Sequence, residues 1–491
     1  LGMLLTIASS QSRFALLGRV LKKTAKGVNK TKVVTTLLAL MIATGSFAQQ
    51  SNSSRSIKVD IPKEHAAKFG QLIVQSHDGR FKPVNTLSDE LVRKMSRKTK
   101  INGLNSDQIL LGMMSNPTKW QQVPLIKVSH PELKAILKIT DSRASYFDFI
   151  NMNDRTYKLS KYVSEAYAKT PGMRNKFDNE LLKVDERLNL CFMIFSGDML
   201  KILPNAYNPN IPWYSPKSKI ANMPEADSIF LKTVIPAYLG ALADGNMKQA
   251  DELLSGIADY QKKFGSTVIP SESRINFEII YNKLAIFNNL SKMYGILGVL
   301  MIILLFVEMF KPSRGLKYVI NFLIVLVVIG FVFQTFGLAV RWYISGHAPW
   351  SNGYESMIYI GWITLLAGLI FASGSKMTIA ATTILSSIIL MVAHLSWMDP
   401  EVTNLVPVLK SYWLTIHVSV ITASYGFLAL SAILGMMNLL LMILKSRKSA
   451  IKMDSKINEL TAINERSVMI GLYLLTIGTF LGGVWANESW G

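Results

Sequence analysis

Six apolar runs dominate the second half of the chain, at residues 293–310, 318–340, 354–372, 377–395, 412–444 and 467–485. Each approaches or exceeds the about 20 mostly apolar residues that cross a bilayer core. Within hydrocarbon a backbone must satisfy its own N–H and C=O groups, so such runs fold as helices. They predict an all-α, polytopic helical membrane protein. The fifth run is overlong, so its helix is expected to tilt or to project beyond the membrane.

The connecting segments decide the orientation. Those at 311–317, 373–376 and 445–466 hold most of the Lys and Arg of this half, whereas the alternate ones hold little beyond Arg341 and Lys410. Positively charged short loops stay on the cytoplasmic side, so the alternate ends face outward. The net charge of +21 then records topology together with a basic soluble region. No nucleic-acid partner is needed to explain it.

Three segments follow from this pattern. Residues 1–48 read as the inner end of a truncated span (1–9), a basic cytoplasmic linker (13–32) and a span leading back out (33–48). Alternatively the last is a signal peptide, with small residues at Ser46 and Ala48 for a cleavage site. Residues 49–290 are polar and of one-domain size. They show helix-like periodicity at 88–98, 176–190, 247–264 and 274–290, with Pro and Gly breaks at 204–216 and 265–270. An extracytoplasmic, mainly helical domain is expected there, with no catalytic motif. Its histidines, His65, His77 and His130, lie in polar, turn-rich sequence without an aromatic cluster. Residues 291–491 form the membrane core. Starting at Leu1 and stopping at Gly491 inside a motif, the sequence reads as a fragment. The one cysteine, Cys191 in LNLCFMIF, reads as a small buried hydrophobe rather than a reactive thiol. Any thiol chemistry must therefore come from a partner.

The outward ends gather an unusual set of side chains. His347, His394 and His417 lie in RWYISGHAPWSNGYES, MVAHLSWMDP and SYWLTIH, with Trp342, Trp350, Trp397, Trp413, Trp485 and Trp490 close by. Imidazoles and indoles at one surface suit a flat, apolar, iron-containing ligand, and haem is the candidate. Each residue also has a plain structural reading. In the first string Pro349, Asn352 and Gly353 make a turn, Ser351 or Asn352 caps the third span, and Trp342 and Trp350 join an interfacial aromatic belt. That leaves His347 and Glu355 unexplained, and an ionisable group at the membrane end of a helix is a functional suspect. His417, about one turn inside the fifth span, is either a packing residue or an iron ligand, and the two other outward histidines favour the ligand. The terminal VWANESWG is either part of the belt or a platform. As a platform, Trp485 and Trp490 offer flat faces, Asn487 and Glu488 orient polar groups, and Arg341 serves as counter-charge for a propionate.

GHAPWSNGYES, then LVPVLKSYWLTIHVS, then GGVWANESWG resemble the CcsA (ResC) cytochrome c biogenesis proteins of the system II pathway, within the haem-handling superfamily that carries a tryptophan-rich WWD motif. The resemblance covers about residues 293–491. It implies that haem b, bound as a substrate, is held at the outer face of the bacterial inner membrane by two histidines flanking the motif. Its vinyl groups would be joined to the cysteine thiols of CxxCH in apocytochrome c, as part of a holocytochrome c synthase. His417 matches the histidine before the motif and would be a ligand to the haem iron. His347 matches the family loop, and Trp350, Trp413, Trp485, Trp490, Glu488 and Arg341 complete the expected site. In the family the last motif continues past WANESWG to WDPKE. The rest of the platform, a second external histidine and a membrane-embedded one are therefore expected beyond Gly491. Fused versions carry a CcsB (ResB) part ahead of the CcsA part, and residues 1–9 would fit the end of one. The implied partners are apocytochrome c, a CcsB (ResB)-like protein or fused domain, thiol reductant proteins and the lipid bilayer, with 49–290 as a large periplasmic domain. Two rivals stay open: a haem exporter or carrier without ligation activity, and a membrane scaffold or transporter whose His and Trp are only interfacial. Transport needs polar groups near mid-membrane, and these spans are poor in them.

Overall fold

The computed structural model describes residues 12–17, 19, 61–151, 154–206, 212–218, 225–371, 374–395, 397–405, 410–445 and 450–490. The segments expected at 1–9 and 33–48 lie outside these residues, as do Gly491 and the side chain of Trp490. The chain divides into two compact units, Gln49–Lys283 and a second made of Leu1–Ala48 with Leu284–Gly491. The polar unit thus ends a few residues before the boundary expected at 290.

In the polar unit the order is α1 (Lys63–Phe69), β1 (Ile73–Gln75), β2 (Phe81–Pro83), α2 (Val84–Ser96), β3 (Lys100–Ile101), β4 (Leu104–Asn105), α3 (Ser106–Ser115), α4 (Pro117–Trp120), β5 (Ile126–Lys127), α5 (Pro131–Leu137), β6 (Arg143–Ala144), α6 (Ser160–Ala168), α7 (Lys176–Phe195), α8 (Glu225–Ala243), α9 (Met247–Gly265) and α10 (Glu272–Leu284). The strands form antiparallel pairs, β1 with β2, β3 with β4 and, across α5, β5 with β6. At two or three residues each they are too short to show alternation in sequence. Helices α3 and α7 begin with capping boxes, Asn105 with Gln108 and Asn175 with Asp178. Leu91, Met95, Leu111, Val184, Ile235 and Leu254 contribute to one buried core. Buried Gln261 completes β1: Ile73 N–H donates to its Oε1 (3.0 Å), and its Nε2 donates to the carbonyls of Ile73 and Ile202 (both 2.7 Å). Those backbone groups would otherwise be left unpaired in the interior.

Two details differ from the sequence reading. His65 is buried, faces Asp251 Oδ1 (3.0 Å) and Tyr238 Oη (2.9 Å), and stacks on Tyr238 at 5.8 Å. His130 meets Phe177 edge-on at 5.4 Å. Both histidines therefore pack with aromatic rings that are distant in sequence. Cys191 is buried with its thiol 3.1 Å from Met95 Sδ, and burial pushes that thiol far above its usual range.

The membrane unit contains α11 (Ile286–Phe310), α12 (Arg314–Ser345), α13 (Gly353–Ile370), α14 (Lys376–Ala393), α15 (Tyr412–Leu444) and α16 (Ala450–Trp490). Among the described residues there are six helices long and apolar enough to cross a membrane, and the protein is a polytopic all-α membrane protein. Helix α16 starts well before the expected run at 467. Charges at 450–466 read as a loop, yet Met453, Ile457, Leu460 and Ile463 recur at helical spacing and are buried, the last three in one cluster with Leu434, Met437 and Leu441 of α15. Small residues allow close crossings. A Cβ on Gly298 would fall 2.9 Å from the backbone nitrogen of Ile384, and one on Gly426 would fall 3.1 Å from that of Thr364.

The basic end of this unit is tied by polar contacts. Lys376 Nζ donates to Asn321 (2.8 Å), Arg13 pairs with Glu465 (3.1 Å), and the Arg466 guanidinium lies 4.3 Å from the ring centroid of Phe14. The ends of α12, α14 and α16 and the starts of α13 and α15 gather at the opposite end.

Candidate functional site

At that opposite end the loops are knotted around one buried ion pair. Arg341, in the last turns of α12, donates through Nε to Glu355 Oε1 (2.7 Å), through Nη1 to the Pro400 carbonyl (2.9 Å) and through Nη2 to the Glu401 carbonyl (3.1 Å). The two side chains are 0% and 1% exposed. Glu355 Oε2 accepts from Ser351 N–H (2.8 Å) and Oγ (2.7 Å), while Glu355 N–H donates to Asn352 Oδ1 (2.9 Å), the cap of α13. The ring nitrogens of His347 face the carbonyls of Ala348 (3.1 Å) and Thr403 (3.3 Å).

These contacts give work to residues that the sequence left unexplained. Glu355 and His347 fasten the two outer loops, and both nitrogens of His347 point at carbonyls rather than at an open site. Arg341, expected as a propionate counter-charge, is wholly enclosed, with its guanidinium directed at Glu355, Pro400 and Glu401. His394 is exposed, but its Nδ1 faces the Leu390 carbonyl (2.7 Å) one turn back and its ring lies edge-on to Tyr354 at 5.8 Å.

The aromatic residues form a chain. Trp342 meets Trp350 edge-on at 5.9 Å, Trp350 meets Tyr359 at 5.0 Å, Tyr359 stacks on Trp362 at 6.0 Å, and Trp362 stacks on Phe331 at 5.5 Å. Trp350 also donates from Nε1 to the Thr415 carbonyl (3.1 Å), which brings it to the turn of α15 that carries His417. Tyr359 and Trp362 escaped the sequence reading, although the three-residue spacing between them places both on one face of α13.

His417 is set by the helix beside it. Its Nδ1 lies 2.6 Å from the Gly478 carbonyl. A carbonyl only accepts, so Nδ1 carries the proton and Nε2 keeps its lone pair. The side chain is half-buried, and among the described residues Nε2 has no hydrogen-bond partner. Gly482 lies against the ring, where a Cβ would fall 2.5 Å from Cε1. The facing pairs Gly435 with Asn464, Leu428 with Gly471, Ile421 with Gly478 and His417 with Gly482 advance in equal steps of seven, seven and four along both helices. This is knobs-into-holes spacing. The sequence reading included Gly482 only as part of GGVWANESWG and missed Gly478; the signal was the one-sided pattern Gly471, Gly478, Gly482.

The remaining expected site residues flank this point. Trp413 packs edge-on against Tyr412 at 6.2 Å. Trp485, half-buried, and Glu488, exposed, follow Gly482 on α16. Trp397 is exposed. The arrangement thus offers one imidazole, oriented through Nδ1 by a backbone carbonyl, on a helix pair that also carries Trp413 and Trp485, a donor set that fits haem iron.

Residues 350–491 match the family model described as Cytochrome C assembly protein. The chain is 41% identical over 496 residues to Protein NrfI of Wolinella succinogenes, an alignment that covers 100% of this chain and 54% of that protein. It is 37% identical over 164 residues to the cytochrome c biogenesis protein CcsA of Chlamydomonas reinhardtii, covering 31% of this chain and 45% of the relative. Against CcsA of Prochlorococcus marinus it is 34% identical over 185 residues, covering 32% and 59%. The chain thus spans about half the length of the relatives it matches. The matched residues 350–491 include the turn of α15 that carries His417 and its neighbours on α16, and the chain is similar to the CcsA-like cytochrome c biogenesis proteins.

Proposed function

We propose that the outer end of the membrane unit holds haem as a substrate and presents it for thioether attachment to CxxCH of apocytochrome c. One observation carries this reading: His417 is tied at Nδ1 to the Gly478 carbonyl, which leaves Nε2 as a lone-pair donor for iron. The names of the relatives, in cytochrome c biogenesis, support it. Attachment adds a cysteine S–H across a vinyl double bond, with sulfur bonding to one carbon and hydrogen to the other, so no oxidant is consumed. The chain's own contribution is position. His417 would hold the iron from one side, and Trp350, Trp413 and Trp485 would supply flat apolar faces. The thiols must arrive reduced, a task left to partner reductants because Cys191 is buried.

In this reading the membrane is the bacterial inner membrane, and Gln49–Lys283 is a periplasmic module for docking apocytochrome c or a CcsB-like partner. The test is to purify the intact protein, record its Soret band, and add a CxxCH peptide under reducing conditions. A covalent haem–peptide product is expected. Bound haem with no covalent product moves the assignment to a carrier or exporter, and absence of haem moves it to a scaffold.

A further inference from the structure

We infer that Arg341 and Glu355 form a positioning pair that fixes the approach of His417 to its haem, an inference that rests on the function proposed above. A buried ion pair is rarely worth more than well-packed apolar residues of similar volume, and ionisable groups at the end of a span are costly to place. What this pair supplies is geometry. The three guanidinium nitrogens of Arg341 reach Glu355, Pro400 and Glu401, which joins α12, the start of α13 and the loop that follows α14. The second oxygen of Glu355 holds both N–H and Oγ of Ser351. Ser351 is the neighbour of Trp350, whose indole donates to the Thr415 carbonyl, two residues ahead of His417. The connection runs bond by bond from Arg341 through Glu355, Ser351, Trp350 and Thr415 to the turn that carries the iron ligand.

Neither charged residue faces the haem, so both act through Trp350. Loosening the pair should let the first turn of α15 shift against α16, lengthening the His417–iron bond without removing the ligand. The spectrum and reduction potential of bound haem would then change, and those are properties that a merely stabilising contact would leave alone.

The experiment uses the intact membrane protein with Glu355→Gln, Trp350→Phe, the two combined, and the apolar pair Arg341→Met with Glu355→Leu. Each single variant is expected to raise the high-spin fraction of bound haem severalfold and to lower the covalent cytochrome c yield. The combined variant should be no worse than the more affected single, because both changes cut one connection. If Glu355→Gln does not accumulate in the membrane, the apolar pair decides, since it leaves Trp350, itself a proposed haem face, in place. A wild-type spectrum and yield in Trp350→Phe, or in the apolar pair, overturns the inference. Absence of haem from the unmodified protein overturns the functional reading, and this one with it.

Discussion

The main-chain carbonyl of Gly478 on α16 lies 2.6 Å from Nδ1 of His417 on α15, and one turn further on Gly482 lies against the same ring. The contact that packs the two longest membrane helices therefore also selects the imidazole tautomer. A backbone acceptor cannot rotate away, unlike a side chain, so the orientation of His417 is as rigid as the helix pair itself.

Gly482→Ala is expected to push the ring aside, because its Cβ would meet Cε1 at 2.5 Å. Overpacking of this kind costs about 1–3 kcal/mol, which corresponds to a weakening of haem retention by roughly 5- to 150-fold. Gly483→Ala serves as control, since a Cβ there meets nothing within 4 Å. Haem content per folded protein checks it, and equal retention in the two variants would show that the close approach has no bearing on the site.

Orientation follows from where the Lys and Arg sit. Asn404, in the loop knotted to Arg341, and Ser313, at the basic end, are both exposed, whereas Cys191 is buried and contributes little background. Asn404→Cys should react with an impermeant thiol reagent in spheroplasts, and Ser313→Cys only after permeabilisation. The reverse pattern would invert the topology and place His417 in the cytoplasm.

Those bulk features were legible because they depend on local composition. Helix α15, Tyr412–Leu444, has the bounds expected from its apolar run, and the six spans agree within a few residues except at the start of α11, which begins at Ile286 rather than 293, and at α16. There the charges at 450–466 hid a helix whose apolar stripe, Met453, Ile457, Leu460 and Ile463, needed only the 3.6-residue period to be seen. The Arg341–Glu355 pair was not legible, since it joins two helix ends across a turn and its other partners, Pro400 and Glu401, come from a distant loop. The same holds for His65, whose partners Tyr238 and Asp251 lie far along the chain. Residue type announced that these groups needed partners; only the tertiary fold supplied them.

The polar unit carries a pH dependence with a definite sign. Burial pushes the carboxyl of Asp89 up to about 6; a hydrogen bond from Ser106 opposes this, and the nearby Asp107 adds to it. A raised carboxyl favours its protonated form in the fold, so its contribution is full below about pH 4 and is lost as pH rises through about 6. Expressed alone, Gln49–Lys283 should fold as a helical protein without a Soret band. In it, Asp89→Asn should add on the order of 1–3 kcal/mol at pH 8 and little at pH 4. Urea midpoints across this range check it, and a variant-to-parent difference that does not change with pH rules out the assignment to Asp89.

Removing the imidazole tests the site most directly. His417→Ala deletes the ring whose Nδ1 is held by Gly478, and it leaves a gap against Gly482. The iron would then have an open position, which added imidazole could fill. Without imidazole, haem content and covalent cytochrome c yield in the intact protein should fall about tenfold or more, the loss expected when about 1.4 kcal/mol or more of binding disappears. With imidazole, haem content should recover in part. His394→Ala is the packing control, because His394 is engaged by the Leu390 carbonyl and the Tyr354 ring and its loss should lower protein yield without an imidazole response. Wild-type haem and wild-type yield in His417→Ala without imidazole would leave His417 as a packing residue between α15 and α16, and iron ligation would have to be sought elsewhere.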